Sequence, residues 1–433
     1  LEDRCLLSTG TSAVAETLYI GDGTDNTVKK FDPTTGAYEG VLVSSGSQSL
    51  QGPRGLIFRN DGELLVVNQN VNLPINGAIL RYNGIAGDPL GALVSASDPH
   101  APFAPLGMVL GANHTLYVGD SGNLDGITLG RLARFNSDSG AFLGDLKPTG
   151  FSGDFYPRGV VIGPDGLVYA SVRNIALTGG EIMRWDPVTG NFLGSFVTSN
   201  ATNDLNRPLG LVFGPDGNLY VASFRANAND NDKILEFNGA TGAYIGKIDL
   251  DQVGQPREFA EALLFGPGGK LFVPITGFGP DTGEVRRYDV STGAFDVFIP
   301  PSAQGGPLGQ PWFLTFRDTD PATLDYVGAA GSGTASAAVA STTREARMAP
   351  DFSWLAPTLF MAGPQAGPAT PLPAPAAFTA HATTQNQSLP TPDTIVAIQP
   401  GPADVVFAAA DAAANDDSDW HAAAWSSTGL NGM

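Results

Sequence analysis

Polar side chains able to bind or catalyse fall into two sets, each recurring about every fifty residues. One set of aligned positions holds Asp22, Asn68, Asp120, Val172, Ser223 and Ile275; the other holds Trp312, Arg54, Leu106, Arg158, Leu209 and Glu261. The oxygens of Asp22, Asn68, Asp120 and Glu261 are hard donors, the kind Ca2+ gathers in groups of about 6–8. Arg54 and Arg158 supply planar forks that fit carboxylates, whether on a ligand or on the acids of the same sets. The candidate ligand-binding group is therefore Asp22, Arg54, Asn68, Asp120, Arg158, Ser223, Glu261 and Trp312, with Asp22, Asn68, Asp120 and Glu261 as its candidate metal ligands. The competing expectation is that these charges pair with one another and with water, and only stabilise the fold.

Other chemistry is thinner. The four histidines, His100, His114, His381 and His421, fall outside both sets, so no Ser-His-Asp arrangement can be proposed and catalytic residues stay unassigned. Asn227–Asp232, Asp22–Asn26 and Asp318-Thr319-Asp320 with Asp325 are oxygen-rich, but none has the EF-hand spacing. Asx-rich turns facing solvent are the simpler reading of all three.

A repeated sheet must position the two sets. Pro208–Lys247 shows the unit most clearly. Leu211–Phe213 is a short apolar run, Gly214-Pro215-Asp216-Gly217 a turn, and Leu219–Val221 the return strand of a hairpin. Lys233–Phe237 and Tyr244–Ile248 supply third and fourth strands around the turn Asn238–Gly242. The last residue of the first strand recurs at Phe58, Leu110, Ile162, Phe213, Phe265 and Phe316, at intervals of 51 or 52 residues. The second turn recurs as Asp32…Gly36, Asn83…Gly87, Asn136…Gly140, Asp186…Gly190, Asn238…Gly242 and Asp289…Gly293, each with an Asx cap and a closing glycine.

Four antiparallel strands per fifty residues, repeated, predict an all-β fold: a six-bladed β-propeller of four-stranded antiparallel blades. One blade cannot stand alone. Its few large apolar side chains yield ~1.5–3 kcal/mol each on burial, against a backbone entropy cost of ~1–2 kcal/mol for each ordered residue. Burial between two neighbours favours a closed ring. Gly55, Gly107, Gly159, Gly210 and Ala262 share one position in the first strand, as crowding at an axis requires.

The first blade lacks an inner strand, because Leu18–Ile20 matches a second strand and Val28–Phe31 and Ala37–Val43 match the third and fourth. At the other end, Trp312–Phe316 is an inner strand without partners. Closure is expected by laying Trp312–Phe316 beside Leu18–Ile20. Leu324–Val327 also resembles a second strand and keeps a partial seventh blade open. The propeller then spans residues 15–327, after a loose segment 1–14. Residues 328–433, rich in Ala, Gly, Ser, Thr and Pro, are expected to be a mostly disordered low-complexity tail.

The net charge of −20 argues against nucleic acid and anionic membranes as partners. No apolar run approaches the ~18 residues of a membrane span. The single cysteine, Cys5, rules out an intrachain disulfide.

The inner hairpin, Pro208-Leu209-Gly210-Leu211 with Gly217–Ser223, resembles NHL-type repeats and, in style, the streptogramin-lyase-like and gluconolactonase/regucalcin-like six-bladed propellers. The resemblance covers about residues 15–327. The gluconolactonase-like group implies a channel metal held by Glu, Asn and Asp, hence a Ca2+-dependent lactonase-like hydrolase; Glu261–Phe265 follows its first-strand motif only loosely. The lyase-like group implies a channel histidine, and none is present at either set. Leu1-Glu2-Asp3-Arg4-Cys5-Leu6-Leu7-Ser8 resembles a motif near the N-termini of certain exported bacterial repeat proteins, which implies an extracellular or surface location.

The expectation is a monomeric secreted or surface-associated binding module, non-catalytic, meeting a protein, glycan or small molecule through its channel face. The alternative is the Ca2+-dependent hydrolase using that face, and a purely structural surface repeat is a third possibility.

Overall fold

The computed structural model describes residues 17–71, 73–122, 129–174 and 179–317. They form six four-stranded antiparallel sheets. Blade 1 runs, from the axis outward, Pro311–Phe316, Leu18–Asp22, Thr27–Phe31, Tyr38–Val43; blade 2, Pro53–Phe58, Glu63–Asn68, Ala78–Asn83, Pro89–Val94. Blade 3 is Pro105–Gly111, Thr115–Asp120, Arg131–Asn136, Phe142–Leu146; blade 4 is Tyr156–Ile162, Val168–Arg173, Glu181–Trp185, Phe192–Thr198. Blade 5 is Leu211–Phe213, Leu219–Ser223, Lys233–Phe237, Tyr244–Asp249; blade 6 is Leu264–Phe265, Leu271–Ile275, Glu284–Asp289, Ala294–Ile299. The chain is a six-bladed β-propeller. Among the described residues the only helical pieces are three short 3₁₀ turns.

The ring closes as the two half-blades predict. Leu18 pairs with Phe316, Tyr19 with Thr315 and Ile20 with Leu314, and the Arg317 amide donates to the Thr17 carbonyl at 3.0 Å. Leu324–Val327, the N-terminal motif with Cys5, and the tail lie outside the described residues. The Asx turns also form as read. Asp32 Oδ1 accepts from the amides of Thr34 and Thr35 at 2.9 and 2.7 Å, and Gly36 closes the turn at φ 73°, a left-handed conformation.

Each blade carries an aromatic at the end of its third strand: Phe31, Tyr82, Phe135, Trp185, Phe237 and Tyr288, all fully buried. In five blades this ring meets an aromatic opening the outer strand, namely Tyr38, Phe142, Phe192, Tyr244 or Phe295, at centroid distances of 5.0–6.0 Å. These pairs peg the outer strand to the blade.

At the axis, space decides. A Cβ added at Gly55 would lie 2.8 Å from the Leu106 carbonyl oxygen, at Gly107 2.9 Å from that of Arg158, and at Gly210 2.8 Å from that of Glu261; at Gly159 it would strike Leu209. Each glycine thus lets the next blade's backbone press against it. Gly107→Val is expected to destabilise by about 2–3 kcal/mol through overpacking against backbone that cannot yield. A thermal melt measures the loss; an unchanged Tm would contradict the close approach.

Candidate functional site

The approach to each inner strand and the loop after each second strand share one face of the ring, as the alignment predicts. Pro53 pairs with Asn68, Pro105 with Asp120, Pro157 with Val172 and Pro311 with Asp22. Directly after each of these prolines the register slips, so that Arg54, Leu106, Arg158 and Trp312 each sit in a bulge of the inner strand. A bulge re-aims its side chain, here at the channel mouth.

The residues that end the second strands do a common structural job. Asp22 Oδ1 accepts from the amides of Thr24 and Gln310 at 3.0 and 2.9 Å, and Oδ2 from the Gly309 amide and Lys29 Nζ at 2.8 and 2.7 Å. Asp120 Oδ1 accepts from the amides of Ala104 and Gly122 at 2.8 and 3.1 Å, and Oδ2 from the Phe103 amide and Arg131 Nε at 2.9 and 3.1 Å. Asn68 Oδ1 takes the Gln51 amide at 2.9 Å, and Ser223 Oγ takes the Asn206 amide at 2.9 Å. In four blades, then, one side chain latches the loop arriving from the previous blade. Val172 and Ile275 lack the polar atom for it.

This bears directly on calcium. A carboxylate offers about four lone-pair sites, and in Asp22 and Asp120 all four are taken by N–H donors. The fourth candidate ligand, Glu261, is ion-paired with Arg54. Asp22, Asn68 and Asp120 each accept from the loop that arrives from the previous blade rather than converging on one another. Among the described residues no group of three or more His, Cys, Asp or Glu could hold a metal ion. The donor set does not fit a calcium ion.

What the ring does bring together is arginine and aromatic. Arg54 of blade 2 lies over Trp312 of blade 1, its guanidinium carbon 3.7 Å from the ring centroid, and reaches Glu261 of blade 6 while its Nε donates to Gln69 Oε1 at 2.8 Å. Three blades are tied across the axis by this one side chain. Further round, Arg158, Arg207 and Arg257 approach Phe224 at 5.7, 5.7 and 5.2 Å, and Arg257 stacks on Phe259 at 3.9 Å. All three guanidinium residues are buried, as are Leu106 and Leu209. The mouth is a packed collar of apolar and cationic groups.

Arg207, Phe224, Arg257 and Phe259 lie in the connecting loops, beyond the strand alignment that picks out Arg54 and Arg158. The only cue was position: Arg207 directly precedes the Pro208 that starts an inner segment. The loop Asn227–Asp232, read as a solvated turn, departs from that reading at its end. Asp232 is fully buried and takes two hydrogen bonds from Arg257, at 3.0 and 2.6 Å. A buried carboxylate needs such a fork. The two histidines among the described residues stay away from the channel: His100 stacks on Phe142 and His114 pairs with Asp138 on the opposite face. His381 and His421 lie outside the described residues.

Beside this pair, the Asp251 carboxyl is pushed up to about 6 by burial and by the Asp232 carboxylate. Between pH 4 and 6 the folded chain keeps a proton there that the unfolded chain has lost, so stability falls as pH rises through that window. Asp251→Asn should flatten the fall, by about 1 kcal/mol after solvent screening, in denaturant melts at pH 4.5 and 7. A second outcome concerns the latch. Asp120→Ala strands three amides and Arg131, and is expected to cost about 3–5 kcal/mol, whereas Ser223→Ala costs about 1 kcal/mol; equal losses would contradict the saturated latch.

The chain matches no protein-family profile and no curated protein. Several solved structures are similar to it over part of its length. A catalytically inactive virginiamycin B lyase from Staphylococcus aureus with quinupristin is similar at 16% identity, over 66% of this chain and 85% of that one, with a TM-score of 0.42. A luciferin-regenerating enzyme is similar at 16% identity, over 60% and 80%, with a TM-score of 0.41. A Bacteroides caccae protein of unknown function is similar at 12% identity, over 70% and 98%, with a TM-score of 0.48. At such identities and TM-scores these likenesses carry no argument, and the propeller rests on the six sheets themselves.

Proposed function

We propose that this chain is a non-catalytic binding module that meets a protein, glycan or small-molecule partner through its channel face. One observation supports the reading above others: Asp22 and Asp120 are saturated by backbone amides and one basic side chain each, and Glu261 by Arg54, while the axial positions carry arginine and aromatic groups. Carboxylates fixed in that way are poor proton-transfer groups and poor metal ligands. Arginine, tryptophan and phenylalanine are recognition residues. The same proposal puts the protein outside the cell or at its surface, on the strength of the octapeptide Leu1–Ser8. No helix among the described residues is long and apolar enough to cross a membrane.

The test has two arms. Millimolar Ca2+ should leave Tm unchanged, because only a ligand that prefers the native state raises it, and no lactone should be turned over above background. Labelled protein on glycan and peptide arrays should give signals that vanish when a bulky tag is attached at Asn229→Cys, on the channel face. A tag at Val188→Cys, on the opposite face, should leave those signals intact. Calcium-dependent lactone turnover, or signals indifferent to the Asn229 tag, would overturn the proposal.

A further inference from the structure

The outer rim holds a groove separate from the channel face. Its logic comes from comparing junctions between blades. At the junction of blades 2 and 3, the connecting loop lays the His100 imidazole flat on Phe142, at 4.2 Å and 12°. Arg131 flanks that ring at 5.8 Å, and its Nη2 donates to the His100 and Ala101 carbonyls at 2.6 and 2.7 Å. At the junction of blades 3 and 4, the connecting loop supplies Phe155, edge-on to Trp185 at 5.9 Å. The loop brings its own ring in both cases.

The junction of blades 5 and 6 has the same fittings without the ring. Phe295 stands where Phe142 stands, in register with the third-strand aromatic of its blade. Arg286 plays the part of Arg131: its guanidinium carbon lies 4.8 Å from the Phe295 centroid, and its Nη1 donates to the Leu250 carbonyl at 2.8 Å. The connecting loop here offers Asp251, Gln252 and Val253. What remains is a groove of about 520 Å3, walled by Asp249, Asp251, Gln252 and Arg286 and floored by Phe295, which is 49% exposed. Its size falls in the range of ligand sites.

The walls choose the charge of the occupant. Arg286 is neutralised by Glu284 and Glu258, at 2.6 and 3.0 Å. Lys247 pairs with Asp249 at 2.8 Å, and Asp251 accepts from the Asp232 and Glu258 amides at 3.0 and 3.2 Å. The four carboxylates around the groove, Glu258, Glu284, Asp249 and Asp251, still outnumber the cations Arg286 and Lys247 and give it a negative character, in a chain of net charge −20. A planar cation satisfies both demands, stacking on Phe295 as His100 does on Phe142 and pairing with the carboxylates. We propose that this rim groove binds an arginine side chain of a basic partner peptide.

The experiment uses the full chain and a fluorescent tetrapeptide Gly-Arg-Gly-Arg, followed by anisotropy at physiological salt. Saturable binding is expected, at least tenfold weaker for Phe295→Ala and several-fold weaker for Asp251→Asn and Asp249→Asn. Phe142→Ala, at the junction already filled, should bind as the parent does. Replacing both peptide arginines by lysine should weaken binding at least fivefold, because an ammonium cannot stack as a planar fork does. Phe295 also packs on Tyr288 at 5.0 Å, so Phe295→Leu, which keeps an apolar side chain on that ring, is assayed beside Phe295→Ala with a thermal melt of each. Loss of binding by a folded Phe295→Leu separates lost binding from lost folding. No binding, equal binding of the lysine or a glutamine peptide, or indifference to Phe295→Ala would each overturn the proposal. So would tighter binding by the chain carrying both Arg344→Ala and Arg347→Ala, which would assign the groove to the protein's own tail.

Discussion

Six inner strands converge on one axis, and the backbone of each must pass within van der Waals contact of the next. In four of the six blades that packing leaves no volume for a side chain at one position, which in blade 1 is held by Phe313. Gly55, Gly107, Gly159 and Gly210 meet the constraint, each with its missing Cβ turned to the axial carbonyl of the following blade. Once that position is empty, the neighbouring residue slips into a bulge and points at the channel mouth. The ring thus decides where chemistry can be displayed before any functional side chain is chosen. Blade 6 relaxes the rule with Ala262, beside the two-residue inner strand Leu264–Phe265.

The second constraint comes from the joints. A loop that carries the chain from one blade's rim to the next blade's axis exposes several backbone amides with no strand to pair with. Asp22, Asn68, Asp120 and Ser223 accept them. Residue types that would suit a metal or a proton relay are thereby consumed in construction. At the channel mouth the packed collar of Arg54, Arg158, Arg207 and Arg257 with Trp312, Phe224 and Phe259 is what remains.

The sequence made the blade count, the strand order, the two turn families and the closure readable. All of these follow from local turn chemistry and a spacing of 51 or 52 residues, which survive without any knowledge of contacts. The alignment of Asp22, Asn68 and Asp120 was readable too, but not their partners. Whether an aspartate holds an ion or three amides depends on loops such as Phe103-Ala104 and Gly309-Gln310, whose backbone direction no periodicity encodes. Arg207 and Arg257 were hidden for the same reason. The burial of Asp232 was hidden differently: its guanidinium partner lies 25 residues away, so an acidic loop looked solvated. The rim aromatics were visible as letters, yet their meaning emerged only when one junction supplied a ring and another did not.

The pairing of Leu18 with Phe316 has a consequence for how the molecule hangs. Both strands meet at the end remote from the channel mouth, so whatever precedes Thr17 and follows Arg317 departs from a single point on the underside. A polypeptide with those two points fused and a new opening cut in an exposed turn such as Asp186–Gly190 would have every strand in its old place.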